Sequence, residues 1–153
     1  MAFRRYAAIP GFEARSVLIR WVAMVRFAVR AICELARGRL AFARNAPSAF
    51  VRNNRNIAAS GRSPENAFPG DELLARQVSF MIPRIARRVP WRSDCLVQAL
   101  AAQKWLESAG IASNLTIGVE KSGGGDFNAH AWLTYGDKVV TGGEIDAYEV
   151  LLG

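Results

Sequence analysis

The sequence has little of the chemistry that metal-dependent and nucleic-acid-binding proteins use. Its 153 residues include one histidine and two cysteines, Cys33 and Cys95, which are too few and too far apart for a zinc site. No helix-turn-helix, zinc or RNA-recognition pattern appears, and the arginines are spread through apolar segments, which argues against a nucleic-acid partner. The sequence therefore predicts neither a metal nor another cofactor.

Each part of the chain has an excess of charge of one sign. All 17 arginines lie between Arg4 and Arg92, among only five acidic residues, whereas the later part has three lysines and eight acids. The two parts carry net charges of +12 and −5, which give the +7 of the whole chain. We interpret the change near Trp91 as a boundary between a basic helical region, 1–92, and a core, 93–153. The basic region contains a linker around 42–70 with room for a short helix.

A long uninterrupted apolar run is also missing. No secretory signal follows Met1, so we expect a cytoplasmic protein. A transmembrane helix needs about 20 mostly apolar residues, and arginines interrupt every such window. The segment Glu13–Leu40 instead predicts one long helix with a broad apolar arc opposite its arginines. This helix either packs on the domain, docks a partner protein, or contacts the inner face of the membrane peripherally.

The remaining pattern predicts helices followed by a small antiparallel sheet. A helix with Asp71 as its cap is interrupted by Pro83, and a second helix begins after Ser93 or Asp94 and ends at Gly110. Alternating apolar residues predict a strand over 113–120. Two further strands, AHAWLTY and KVVTG, meet at a turn of Gly136 and Asp137.

Cys95 and His130 are the candidate catalytic pair. Cys95 lies in the first turn of a predicted helix, where backbone N–H groups and the helix dipole favour a thiolate. His130, the only imidazole, lies on a predicted strand about 35 residues later and is the only base of its kind available. Gln98, one turn after the cysteine, is a candidate for orienting substrate, and Trp132 shares the strand face of His130. A small buried cysteine and a structural histidine are the competing interpretation.

A resemblance to a known family strengthens the catalytic interpretation. The order of three motifs resembles the B2 proteins of lasso peptide biosynthesis, which are leader peptidases of the transglutaminase-like cysteine protease superfamily. The motifs are the Cys-Leu-x-x-Ala-Leu-Ala helix start at Cys95, the Leu-x-Ile-Gly-Val strand that ends at Val119, and the Ala-His-Ala-Trp strand at Ala129. The similarity covers about the last 60 residues. It implies an α+β fold with a transglutaminase- or papain-like core, preceded by the helical region.

The resemblance also implies an activity and its partners. The family removes the leader from a ribosomally made precursor peptide, with Cys95 as nucleophile and His130 as base and acid. A separate leader-binding protein of the B1 type delivers the precursor, and a lasso cyclase then closes the ring. Acyl transfer on the same scaffold, and a degenerate protein that only docks partners or membranes, are the alternatives.

The third catalytic residue departs from the family pattern. The family has an aspartate about a dozen residues after the histidine, where this chain reads Thr141-Gly142-Gly143. A two-residue turn would pair position 130 with 143, and a bulge would bring Glu144 close to His130, which makes Glu144 the preferred substitute. Asp146 and Asp126 are the alternative carboxylates. A backbone carbonyl or an amide that orients the imidazole is a further alternative.

Overall fold

The computed structural model describes residues 10–120 and 128–153, with side chains described from residue 17 onward. Four α-helices and a short 3-10 helix precede or flank a four-stranded sheet. The elements are α1 (Pro10–Arg44), α2 (Pro47–Ser60), the 3-10 helix (Pro64–Asn66), α3 (Asp71–Ala86), α4 (Cys95–Ser108), β1 (Asn114–Glu120), β2 (Ala129–Tyr135), β3 (Lys138–Thr141) and β4 (Tyr148–Leu152). This arrangement confirms the predicted α+β class.

The sheet has the order β3-β2-β1-β4, and its pairs are antiparallel. The predicted hairpin between β2 and β3 is confirmed, with Gly136 at a positive φ of 56° in its turn. The C-terminal segment forms the edge strand β4 beside β1. Because β4 pairs only with Ile117–Glu120, the first half of β1 has no strand on that side.

Helix α4 lies at the centre of the fold. Its residues from Val97 to Leu106 are mostly buried between the sheet and the helices α1 and α3. Gly38 marks the closest approach of α1, because a β-carbon there would lie 2.9 Å from the carbonyl oxygen of Val97 and 3.3 Å from the amide nitrogen of Ala101. The backbones of α1 and α4 therefore cross almost in contact.

The long N-terminal helix is confirmed, and it extends slightly beyond the predicted bounds Glu13–Leu40. Only its second half is fixed to the body of the protein, where Ala31, Leu35 and the acidic Glu34 are buried. Glu34 forms ion pairs with Arg37 at 3.0 Å and Arg30 at 3.7 Å. No helix among the described residues is long and apolar enough to span a membrane.

The segment predicted as a linker, 42–70, holds a full helix, α2. The buried side chains of Val51, Asn54 and Ile57 recur at helical spacing, but the asparagines between them resemble a loop composition. Asn54 is buried because its amide donates to the carbonyl of Leu115 at 2.8 Å and accepts from the amide of Leu115 at 3.0 Å. Gln103 of α4 donates to the side-chain oxygen of Asn54 at 2.9 Å. These bonds fasten α2 to the open half of β1.

The start of α3 differs slightly from the predicted cap. Gly70 is the N-cap, and Asp71 is the first helical residue. Its carboxylate accepts a hydrogen bond from the amide of Phe68 at 3.0 Å and two from Arg62, at 2.9 and 2.8 Å. The Arg62 guanidinium holds the pKa of Asp71 below its usual range. Pro83 lies inside α3, which continues to Ala86.

One hydrophobic core spans the charge boundary. Ala31 of α1 and Val78 of α3 belong to the same buried cluster as Leu100 of α4 and Leu133 of β2. The division into 1–92 and 93–153 therefore stays an interpretation of charge, while the packing is continuous across it.

We expect Asn54→Ala to lower the free energy of unfolding by about 2–4 kcal/mol, because it leaves buried groups of Leu115 and Gln103 without partners. Asn56→Ala, an exposed position on the same helix, is the matched control and should change stability by less than about 0.5 kcal/mol. Urea denaturation followed by circular dichroism measures both. Equal effects of the two changes would contradict the assigned role of Asn54.

The Arg62–Asp71 pair predicts a pH dependence of stability. Because the folded-state pKa of Asp71 is lowered, its contribution is present above the unfolded value of about 3.9 and is lost as pH falls through the folded value. The stability advantage of the wild type over Asp71→Asn should therefore be constant near neutral pH and shrink below about pH 4. Glu65→Gln, an exposed acid six residues earlier, should show no comparable trend.

Candidate active site

Cys95 is the first residue of α4. Asp94 precedes it as the N-cap, with extended backbone angles and no hydrogen bond from its side chain to the helix. The carbonyl of Asp94 accepts the amide of Gln98 at 3.0 Å, which closes the first turn. The thiol is half-buried against the core. It belongs to the first turn of a helix, where N–H groups without an intrahelical acceptor favour a thiolate.

The side chain of Gln98 holds the backbone that leads into Cys95. Its side-chain amide donates to the carbonyl of Ser93 at 2.7 Å, so it holds the residue two positions before Cys95. The hydroxyl of Ser93 and the indole N–H of Trp91 are buried and have no hydrogen-bond partner among the described residues. Residues 91–93, which precede α4, therefore hold two buried polar groups that form no hydrogen bond with the described residues.

His130 lies near the beginning of β2, opposite Gly118 of β1. Its Nε2 atom lies 2.7 Å from the carbonyl oxygen of Gly142. A carbonyl oxygen only accepts, so Nε2 carries the proton, and in the neutral ring Nδ1 is then the unprotonated nitrogen. The protein thus fixes one tautomer, with Nδ1 available as a base.

Two aromatic rings hold the imidazole in place. Tyr148 of β4 stacks on it with ring centroids 4.7 Å apart, and Trp132 stacks at 6.2 Å. Trp132 is buried, because its indole covers Gly118, where a β-carbon would lie 2.8 Å from the ring. Sequence reasoning placed Trp132 beside His130 but missed Tyr148, which reaches the site only through the pairing of β4 with β1. The glycine within β1 was the available signal of a close approach.

Gly142 stands where the family pattern places a carboxylate. Its φ of 111° is a conformation that L residues rarely adopt, and a β-carbon there would lie 2.4 Å from that of Trp132. The backbone of this glycine therefore passes close to β2, which brings its carbonyl to the imidazole and leaves no room for a side chain. Of the alternatives that the sequence left open, the backbone carbonyl is the group in contact with His130.

Among the described residues, none of the candidate carboxylates is hydrogen-bonded or ion-paired with His130. Glu144 is exposed and makes no hydrogen bond or ion pair with other described residues. The irregularity in the β2–β3 pairing lies between Leu133 and Thr134, not at the glycines, and β3 ends at Thr141. Asp146 is also exposed. Asp126 lies outside the described residues.

The structure places Cys95 and His130 at the starts of two packed elements, α4 and β2. Along β2, Ala131, Leu133 and Tyr135 point into the core that contains α4, whereas His130 and Trp132 alternate to the other face. Within the described ranges, no hydrogen bond joins the thiol to the imidazole. The described packing therefore puts the imidazole on the sheet face away from α4 and does not join it to the thiol.

The shifted pKa values belong to the hairpin end of the sheet, away from His130. Burial raises the pKa of Tyr135, and the nearby carboxylates of Asp71 and Glu72 add to this rise. Hydrogen bonds from Lys138 and Arg76 lower the pKa of Glu72. Among the residues that the structure describes, no group of three or more histidine, cysteine or acidic side chains is arranged to hold a metal ion.

Comparison with known families gives a match over most of the chain. Residues 22–153 match the family model described as the transglutaminase-like superfamily. No curated protein and no solved structure matches the chain. The matched range begins within α1 and includes Cys95, His130 and Gly142.

We expect Gly142→Ala to cost at least about 2 kcal/mol of stability, because the added β-carbon overlaps Trp132 in a strained backbone conformation. Gly143→Ala is the matched control: its φ is also positive, at 68°, but nothing lies within 4 Å of an added β-carbon, so about 1 kcal/mol is expected.

The same pair of variants tests the contact with the imidazole. His130 is the only histidine, so its ring protons are assigned without ambiguity in an NMR spectrum. Gly142→Ala should shift these resonances and Gly143→Ala should leave them nearly unchanged. Equal shifts, or equal losses of stability, would contradict the role given to the Gly142 carbonyl.

Proposed function

The chain belongs to the transglutaminase-like superfamily, a fold of cysteine proteases and acyl-transfer enzymes, and on that premise we propose that it is a cysteine peptidase that removes the leader from a lasso peptide precursor. The observation that carries the proposal is the fixed tautomer of His130, whose Nε2 is bound to the Gly142 carbonyl and whose Nδ1 is left as a base. The cysteine at the start of α4 supports it as the nucleophile.

The proposed reaction uses this chain's own groups. In the proposed reaction His130 and Cys95 come together when the substrate binds; Nδ1 then takes the thiol proton, and the Cys95 sulfur attacks the scissile carbonyl carbon. The oxyanion of the tetrahedral intermediate accepts a hydrogen bond from the backbone N–H of Cys95. The imidazolium then gives its proton to the leaving amine as the C–N bond breaks. Water, deprotonated by His130, hydrolyses the thioester and releases the acid and the free thiol.

The uncharged groups around Cys95 and His130 fix the positions of these residues. Tyr148 and Trp132 restrict the imidazole to one plane, and Gln98 holds the backbone that enters α4. The Gly142 carbonyl stabilises the imidazolium through one hydrogen bond where the family pattern has a full negative charge. A separate leader-binding protein and a lasso cyclase are the proposed partners, since the resemblance of the core motifs extends to that pathway.

A second candidate, a non-catalytic relative that acts by binding, is favoured by three observations. No carboxylate forms a hydrogen bond or ion pair with His130 among the described residues, and no hydrogen bond links His130 to Cys95. The alternation of β2 also places His130 on the face of the sheet away from α4, which begins at Cys95. The two candidates differ in the reactivity of the thiol, which can be measured without knowing the substrate.

We expect Cys95 to be alkylated by iodoacetamide at pH 6 at least about tenfold faster than an ordinary thiol, whose ionisation lies near pH 8.5. The measurement uses Cys33→Ser protein, with and without His130→Ala, and the second change should remove the excess rate. The exposed Cys33, measured in Cys95→Ser protein, is the reference for an ordinary thiol.

The peptidase itself is tested with a candidate lasso precursor and its leader-binding protein, with products identified by mass spectrometry. Cleavage should require Cys95 and His130 and should survive Cys33→Ser. A Cys95 whose pH profile matches that of Cys33 and does not respond to His130→Ala would overturn the catalytic pair and support the binding candidate.

A further inference from the structure

Helix α1 has two apolar faces, and only one of them is covered. Phe27, Ala31 and Leu35 face the body of the protein, with Ala31 and Leu35 fully buried. A second set of apolar side chains lies on an arc of about 100° beside that face, at 100° per residue. We call it the apolar stripe, and each member is 40–64 % exposed: Leu18, Trp21, Val22, Val25, Val29 and Ile32.

The apolar stripe is too regular and too long for scattered surface residues. From Leu18 to Ile32 it runs for about 21 Å at 1.5 Å per residue. Isolated exposed apolar side chains are ordinary on soluble proteins, but a continuous patch of this kind marks a binding surface. The first turns around it, residues 17–26, are exposed on all sides, so the stripe is accessible without any opening of the fold.

The charged residues on the same stretch of α1 have one sign. Residues 14–33 contain four arginines and no acid. Arg30 is occupied, because it contacts Glu34 and the hydroxyl of Ser108 and lies over the ring of Trp105. Arg20 and Arg26 have no ion-pair partner among the described residues. Long arginine stems can lie along apolar surface while their guanidinium groups reach an anionic one.

We propose that the apolar stripe of α1 binds the surface of an anionic lipid membrane, with the helix axis parallel to the bilayer. An apolar helix face that carries a tryptophan, on a helix segment whose charged residues are all arginines, is the composition that binds the boundary between headgroups and acyl chains. A second copy of this chain fits poorly, because pairing two stripes brings their arginines together. No described helix can span the bilayer, so the contact is peripheral.

The geometry allows this contact to coexist with the folded domain. The face of α1 that packs on α3 and α4 is separate from the stripe, so the core keeps its contacts when the stripe is covered. The proposal does not depend on catalysis by Cys95, and its test does not involve the thiol.

The experiment is co-sedimentation of the full chain with vesicles of phosphatidylcholine alone or with about one third phosphatidylglycerol. We expect binding to the anionic vesicles, weakened by salt, and little binding to the neutral ones. The double variant Leu18→Ser, Val25→Ser should bind at least tenfold more weakly, as should Arg20→Gln, Arg26→Gln. Leu73→Ser is the matched control, because Leu73 is equally exposed but lies on α3, and it should bind like the wild type.

Trp21 gives a second readout that a folding defect would not mimic. It is the most exposed of the tryptophans with described burial, so its fluorescence should shift to the blue on anionic vesicles and the shift should be absent in Trp21→Phe. Circular dichroism checks that each variant is folded.

The proposal is overturned if the wild type binds neither vesicle, binds both equally, or loses nothing in the stripe variant. It is also overturned if sedimentation velocity shows self-association that the stripe variant abolishes without any vesicle binding, or if the stripe is needed only to bind the leader-binding protein or the cyclase.

Discussion

The buried amide of Asn54 closes the sheet where no strand is available to do so. By donating to and accepting from the backbone of Leu115, it makes the pair of bonds that a neighbouring strand would make. Gln103 shares its oxygen, so one side chain joins α2, α4 and β1. The elements that carry Cys95 and His130 are both attached to these three elements. Helix α4 packs on β2, and β2 pairs with β1 from Ala129 to Thr134.

The sequence predicted the elements whose signal is local. Apolar spacing and caps located α1 and α4, alternation located β1, and Gly136-Asp137 located the hairpin. For α2 it indicated only a linker with room for a short helix, because an asparagine that is typical of loops is a buried hydrogen-bonding residue in the fold. Burial of a polar side chain depends on partners 49 and 61 positions away, which no local window contains.

The same limit applies to the site. The motifs pointed to Cys95, His130 and Trp132 as candidates, and the register of the family pattern placed the missing carboxylate at Thr141-Gly142-Gly143. The partner of the imidazole could not be found among side chains, because it is a backbone carbonyl made accessible by a glycine conformation. Tyr148 was also hidden, since its place beside His130 follows from strand order rather than from spacing.

The close contact at Gly38 transmits movement between α1 and the start of α4. Since α1 rests there on the carbonyl of Val97, a rigid-body tilt of α1 displaces the backbone two residues after Cys95. A well-packed interior transmits such strain instead of absorbing it. A contact that holds the N-terminal half of α1 therefore also restricts the position of the Cys95 sulfur relative to the sheet, because the movement is passed on through the backbone contact at Gly38.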